Sequence, residues 1–147
     1  MNLDAREWLE ADGLGGFASG TVSGVRTRRY HGLLLPAATP PTGRMMLVNG
    51  FDAWVETASG VTPISTQRYA PDVLHPDGVW RLDQFLADPW PTWRWHIDDA
   101  VEVVQEIFVP RGLPRVVIRW RATRRGQGPL RLRVRPFMSG RDYHSLQ

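Results

Sequence analysis

Apolar and polar residues alternate with a period of two along several stretches of this chain, and no apolar stripe repeats every 3.6 residues over a helix-length window. Fourteen glycines and twelve prolines cut the 147 residues into short pieces. The pieces rich in β-branched and aromatic side chains predict strands at residues 29–35, 44–48, 53–57, 79–86, 92–97, 101–109, 115–122 and 130–137. Such a pattern is all-β, and its turn spacing suits an antiparallel β-sandwich forming a single domain over residues 1–147, without repeats or an internal linker.

The last two strands alternate most clearly. Val116, Ile118, Trp120 and Ala122 fall on one face, with Val117, Arg119 and Arg121 on the other; Leu130, Leu132 and Val134 repeat the pattern against Arg131, Arg133 and Arg135. The glycine-rich stretch between them reads as a turn, so the two are expected to form an antiparallel hairpin, with Arg121 facing Arg131 and Arg119 facing Arg133. Like charges directly opposed cost up to ~1 kcal/mol per pair unless an anion intervenes. The candidates for that anion are the acids one strand upstream (Asp98, Asp99, Glu102, Glu106), a further domain of the same polypeptide, or a polyanion; a solvated arginine face is the remaining alternative.

Composition sharpens this picture. The cationic residues are eighteen arginines with no lysine, set against fifteen carboxylates, for a net charge of +3. Residues 1–110 hold eight arginines and fourteen acids, whereas residues 111–147 hold ten arginines and Asp142 alone. The basicity is therefore local, a distribution that fits a polyanion surface or one side of a protein interface. No cysteine is present, which excludes disulfides, thiolate metal sites and a thiol nucleophile. No apolar run approaches the ~20 residues needed to span a bilayer, and the N-terminus lacks the basic start and apolar middle of a signal peptide, so a cytoplasmic protein with no membrane partner is expected.

Short motifs exclude more than they assign. The run from Gly13 through Gly15, Gly16 and Ala18 has the spacing of a dinucleotide fingerprint but lacks the buried strand before it and the helix after it, and residues 13–24 read instead as a loop with glycines at positive φ or close approach. The four histidines, at 31, 75, 96 and 144, show no zinc spacing, and no serine sits in a nucleophile elbow, so no metal and no cofactor are expected. On a strand, Arg29 and His31 would share one face and Arg28 and Tyr30 the other. They form either a hydroxyl- or carboxylate-binding cluster or an ion-pair network with Glu7, Glu10 or Asp12. Trp93 and Trp95 share a face and suit the core, while Trp90, between two prolines, is the expected exposed ring.

Longer stretches carry a resemblance. Glu7-Trp8, the run from Gly13 to Thr21, Ser23-Gly24, the segment from Thr27 to Leu34, the Pro40-Pro41-x-Gly43-Arg44 turn and Arg141-Asp142-Tyr143-His144 together resemble the N-terminal domain of bacterial and archaeal glycogen debranching enzymes (amylo-α-1,6-glucosidases). The resemblance implies a β-super-sandwich placed ahead of an (α/α)6 barrel. That barrel hydrolyses α-1,6-glucosidic branch points and lies outside this chain, so the domain itself would be non-catalytic. The implied partners are the C-terminal catalytic domain of the same polypeptide and an α-glucan. Arg28, Arg29, Tyr30, His31, Trp90, Arg141, Asp142 and His144 become the candidates for a face turned toward the barrel or its substrate. The alternatives are a polyanion- or nucleic-acid-binding β module using the arginine strands, and a purely structural interaction domain.

Overall fold

The computed structural model describes residues 2–144. Thirteen strands and one short 3-10 turn, Gly78–Arg81, make up its regular structure. One sheet runs β1(Glu7–Ala11), β2(Phe17–Thr21), β3(Gly32–Leu35), β5(Thr42–Thr57), β13(Leu130–Asp142), with β4(Ala37–Thr39) and β6(Gly60–Pro63) also pairing with β5. The second sheet runs β12(Val117–Arg124), β11(Val101–Phe108), β10(Thr92–Asp98), β9(Leu82–Leu86), and β7(Thr66–Tyr69) pairs with β8(Val73–Asp77) as a separate ribbon. The pairings are antiparallel and the larger sheets face each other, the sandwich expected from the sequence.

The core fills the space between them with inward side chains of alternate residues: Trp8, Leu33, Ala53 and Val55 from the first sheet, and Trp93, Trp95, Val101, Val103 and Ile107 from the second. Trp93 and Trp95 are inside, as their spacing predicts, with Arg94 exposed between them and His96 exposed after them. Burying side chains of this size is what holds such sheets together; truncating a buried tryptophan costs about 3–5 kcal/mol.

Four expectations need correction. Residues 44–48 and 53–57 are not two strands but parts of β5, a single sixteen-residue strand. The stretch expected to be strand from residue 79 opens instead as the 3-10 turn before β9. Residues 17–21, taken as part of a loop, form β2. Its buried residues are Ala18, Ser19, Gly20 and Thr21, small because the indole of Trp8 lies within 3.2 Å of where a Gly20 side chain would begin. A strand packed so closely under an aromatic ring has only small residues after Phe17 to announce it. The preceding loop does use glycine as expected: Gly15 sits at φ +99°, and a side chain there would collide with the Pro41 carbonyl.

The fourth correction concerns the arginines. Strands 12 and 13 are consecutive but do not form a hairpin: β12 pairs with β11 and β13 pairs with β5, in different sheets. Arg119 therefore stands opposite Glu106, Arg131 opposite Glu56 and Arg135 opposite Asp52. Glu106 receives Arg119 at 2.8 Å, Arg121 at 3.0 Å and the Trp90 indole N–H at 2.7 Å. Glu56 receives Arg133 at 2.6 Å, and the buried Asp52 takes Arg135 at 2.8 Å. Of the four acids named one strand upstream, Glu106 is a partner of these arginines, while Glu102 pairs with Arg94 at 2.9 Å.

Glu106 is buried, and its pKa is held below the usual carboxylate value chiefly by the Arg119 hydrogen bond, against the opposing effect of burial. Glu106→Gln should therefore cost about 1–2 kcal/mol, because two guanidiniums and an indole lose one anion while the arginines can still turn toward water. Glu102→Gln, at an exposed pair, should cost no more than ~0.5 kcal/mol. Urea titrations of the two variants measure the difference, and equal losses would count against a central role for Glu106.

Candidate functional site

The strand expected over residues 29–35 begins only at Gly32, as β3; residues 25–31 are irregular, with a turn at Arg29 and Tyr30. The faces expected for Arg28 to His31 are therefore not those of a strand. His31 folds back over its own turn, and its Nδ1 accepts the backbone N–H groups of Thr27 (3.0 Å) and Arg28 (3.2 Å). With Nδ1 so occupied the proton sits on Nε2, which donates to Glu7 Oε1 at 2.8 Å. Arg28 Nε donates to the same oxygen at 2.5 Å. This is the ion-pair arrangement with Glu7 that the sequence offered as one alternative.

Burial lowers the His31 pKa below its ordinary value, only partly offset by Glu7. The Arg28 hydrogen bond is the largest influence on Glu7, and with His31 it keeps that carboxylate ionised below its own usual range. His31 is 3% exposed and works as the neutral hinge pin of the turn.

Arg29 and Tyr30 project outward from this turn and meet the end of β13 more than a hundred residues later. Arg29 donates to the His144 carbonyl at 2.9 Å, and Arg141 donates to the Arg29 carbonyl at 2.8 Å. Tyr30 packs against Tyr143 with ring centres 5.3 Å apart and approaches the His144 ring edge-on at 6.0 Å. Its hydroxyl lies 3.4 Å from His144 Nδ1. Asp142 closes the local turn by accepting the His144 N–H at 2.9 Å.

Seven of the eight candidate residues thus come together. Trp90 does not: it packs on Phe108 at 4.9 Å, donates to Glu106 on the second sheet and is half-buried, so it is not the exposed ring expected. Trp80, 75% exposed, is the tryptophan that faces solvent.

Two residues outside the candidate set complete the cluster. Arg44 stacks over Tyr143 at 5.2 Å, donates to its hydroxyl at 3.2 Å and also donates to the Gly15 carbonyl, which ties the glycine loop to the end of β13. Tyr143 is the common neighbour of Tyr30, His144 and Arg44. Both residues stand in the motifs that carried the resemblance, which was the available signal. Alongside lies a groove of about 320 Å³ lined by Glu7, Leu9, Phe17, Ser19, Arg28 and Tyr30. The combination of fixed guanidiniums, half-buried tyrosine rings, the exposed His144 ring and a hydroxyl suits hydroxyl-rich, planar-faced ligands or the carboxylates and carbonyls of another protein surface.

No helix among the described residues is long and apolar enough to cross a membrane. What the geometry defines is an antiparallel sandwich carrying an arginine- and tyrosine-rich surface at one end, held by a buried histidine turn. Residues 6–147 match the family described as glycogen debranching enzyme N terminal, and the chain belongs to that family. Neither curated proteins nor solved structures gave a match.

The pH dependence of folding follows from the His31 hinge. A histidine whose folded pKa lies below its ordinary 6.5 contributes stability that is whole above about pH 6.5 and lost as the pH falls through the folded value, because the unfolded chain takes the proton first. Glu7 adds a second loss at lower pH, below its ordinary 4.5. Urea midpoints measured from pH 8 to pH 4 should therefore hold steady and then decline. In His31→Gln the first part of that decline should shrink; an unchanged profile would remove His31 as its cause.

Proposed function

We propose that this chain is a non-catalytic β domain that supports the catalytic part of a glycogen debranching enzyme, a glycoside hydrolase acting on α-1,6 branch points. On this reading, the surface formed by Arg28, Arg29, Tyr30, Arg141, Asp142 and His144, with Arg44 and Tyr143, meets α-glucan or the catalytic part. The observation that carries it is the convergence of the Arg29–Tyr30 turn and the Arg141–His144 segment on one exposed surface. Those same segments carried the resemblance to the family. Sugar rings have an apolar face for tyrosine and imidazole and an edge of hydroxyls for guanidinium donors. Glu7, the acid in the cluster nearest to being a catalytic group, is occupied by Arg28 and His31, which supports a binding or buttressing role over catalysis.

A polyanion module is the competing reading, and the pairing of Arg119, Arg121, Arg131, Arg133 and Arg135 with Glu106, Glu56 and Asp52 weighs against it. The two differ in their response to salt, since counterion release dominates nucleic-acid binding. In affinity electrophoresis through glycogen gels the chain should be retarded weakly and independently of salt. Arg29→Ala and Tyr30→Ala should each lower that retardation by roughly threefold with an unchanged melting temperature, the scale of one stacking or hydrogen-bonding contact. Retention by a labelled oligonucleotide alone, falling steeply with salt, is the result that would overturn the proposal.

A further inference from the structure

One side of the sandwich is open. Among the described residues β12 pairs only with β11 and β13 only with β5, so each has an unpaired edge. The two edges lie on the same side of the molecule, because Trp120 of β12 meets Phe51 of β5 edge-to-face at 5.4 Å and β5 is the neighbour of β13. Leu132 and Val134 stand opposite Val55 and Ala53, whose side chains are in the core, and so belong to the inner face of the sheet. Both are nevertheless 40% exposed, and Met138 further along β13 is 76% exposed. Strand β13 therefore overhangs the second sheet: Leu130 at its start packs against the core, but Leu132, Val134 and Met138 beyond it are only partly covered. Long apolar edges of this kind invite strand addition and are normally covered.

The outward side chains on the same two strands say what kind of segment fits. Five arginines, Arg119, Arg121, Arg131, Arg133 and Arg135, share three carboxylates. A strand added to either edge brings its own outward residues beside these guanidiniums, where a carboxylate attracts and another cation repels. Twofold pairing of β12 or β13 with its own copy would set arginine beside arginine and is disfavoured.

We propose that the β12–β13 rim is the docking surface for the C-terminal part of the same polypeptide, which adds an extended segment apolar at alternate positions and acidic between them. The proposal rests on the reading of this chain as the N-terminal domain of a longer enzyme, but not on glucan binding.

The absence of cysteine lets one introduced thiol report on one position. Leu132→Cys and Val134→Cys, with Val61→Cys on β6 as an exposed control, are alkylated by a maleimide. The reaction is run in the 147-residue chain and in the polypeptide extended by its C-terminal part, and labelling at each position is read by peptide mass spectrometry. Positions 132 and 134 should react at least about tenfold more slowly in the extended polypeptide, with position 61 equal in both. Introducing Arg133→Glu should restore much of the lost reactivity at position 134 by repelling the acidic segment.

Equal rates at 132 and 134 in the two polypeptides would overturn the proposal. So would slowing in the 147-residue chain alone that grows with its concentration, which would assign the rim to a second copy. An extended polypeptide with a protected rim but no activity on branched α-glucan would reject the debranching reading and leave this one standing.

Discussion

Two indoles fix the relation between the sheets. Trp8 of the first sheet meets Trp93 of the second edge-to-face, 5.7 Å between ring centres. Each gives its N–H to a backbone carbonyl where β2 ends, Trp8 to Thr21 at 3.3 Å and Trp93 to Val22 at 2.8 Å. The end of β2 is thereby held by both layers. The chain that follows turns from a fixed point, with the Thr21 hydroxyl donating to the Val25 carbonyl and Ser23 Oγ accepting the Val25 N–H. Strand alternation does the rest: with Trp8 pointing inward, Glu7 must point outward, and there it receives His31 and Arg28. The exposed surface around Tyr30 is thus connected to the core by one short strand, and its geometry depends on the packing of the tryptophans.

That chain of dependence explains which parts of the molecule were legible in the sequence. Trp93, Trp95 and the inward row of Ile118 and Trp120 were readable because large apolar residues alternate with charged ones. Strand β2 was not, since the Trp8 indole leaves no room for a side chain at Gly20, and the buried residues around it are small and carry little hydrophobic signal of their own. The turn at Arg28–His31 looked like the start of a strand because Tyr30, Leu33 and Leu34 favour one. A histidine accepting two backbone N–H groups overrides that propensity, and no spacing rule reports it. Arg28, Arg29, Tyr30 and His31 could be grouped by adjacency, but the contacts with Arg141 and His144, more than a hundred residues away, depend on β13 running antiparallel to β5 from Thr57 back to Met45.

The misplaced hairpin shows a general limit of periodicity. Alternation reveals which side of a strand is apolar and not which strand lies beside it. The residues between β12 and β13 have the composition of a tight turn, yet they carry the chain from one sheet to the other, as sandwich connections often do. Had the two strands paired, arginine would have faced arginine at two positions, an electrostatic cost that itself disfavours that register.

The uneven charge along the chain follows from this topology. Residues 111–147 contribute β12 and β13, each an edge strand laid against an earlier neighbour, β11 or β5, from the acid-rich residues 1–110. Charges segregated in sequence are interleaved in space: Glu106 lies between Arg119 and Arg121, Glu56 near Arg131 and Arg133, and Asp52 against Arg135. A high arginine count in the last quarter is therefore what two outward strand faces need when their neighbours supply carboxylates. Five guanidiniums for three carboxylates leaves each strand with positive charge beyond what its neighbour neutralises, directed along the same open rim as the exposed Leu132 and Val134. Excess charge of one sign and uncovered apolar surface on a single strand edge are consistent with one cause, an acidic strand that belongs beside them.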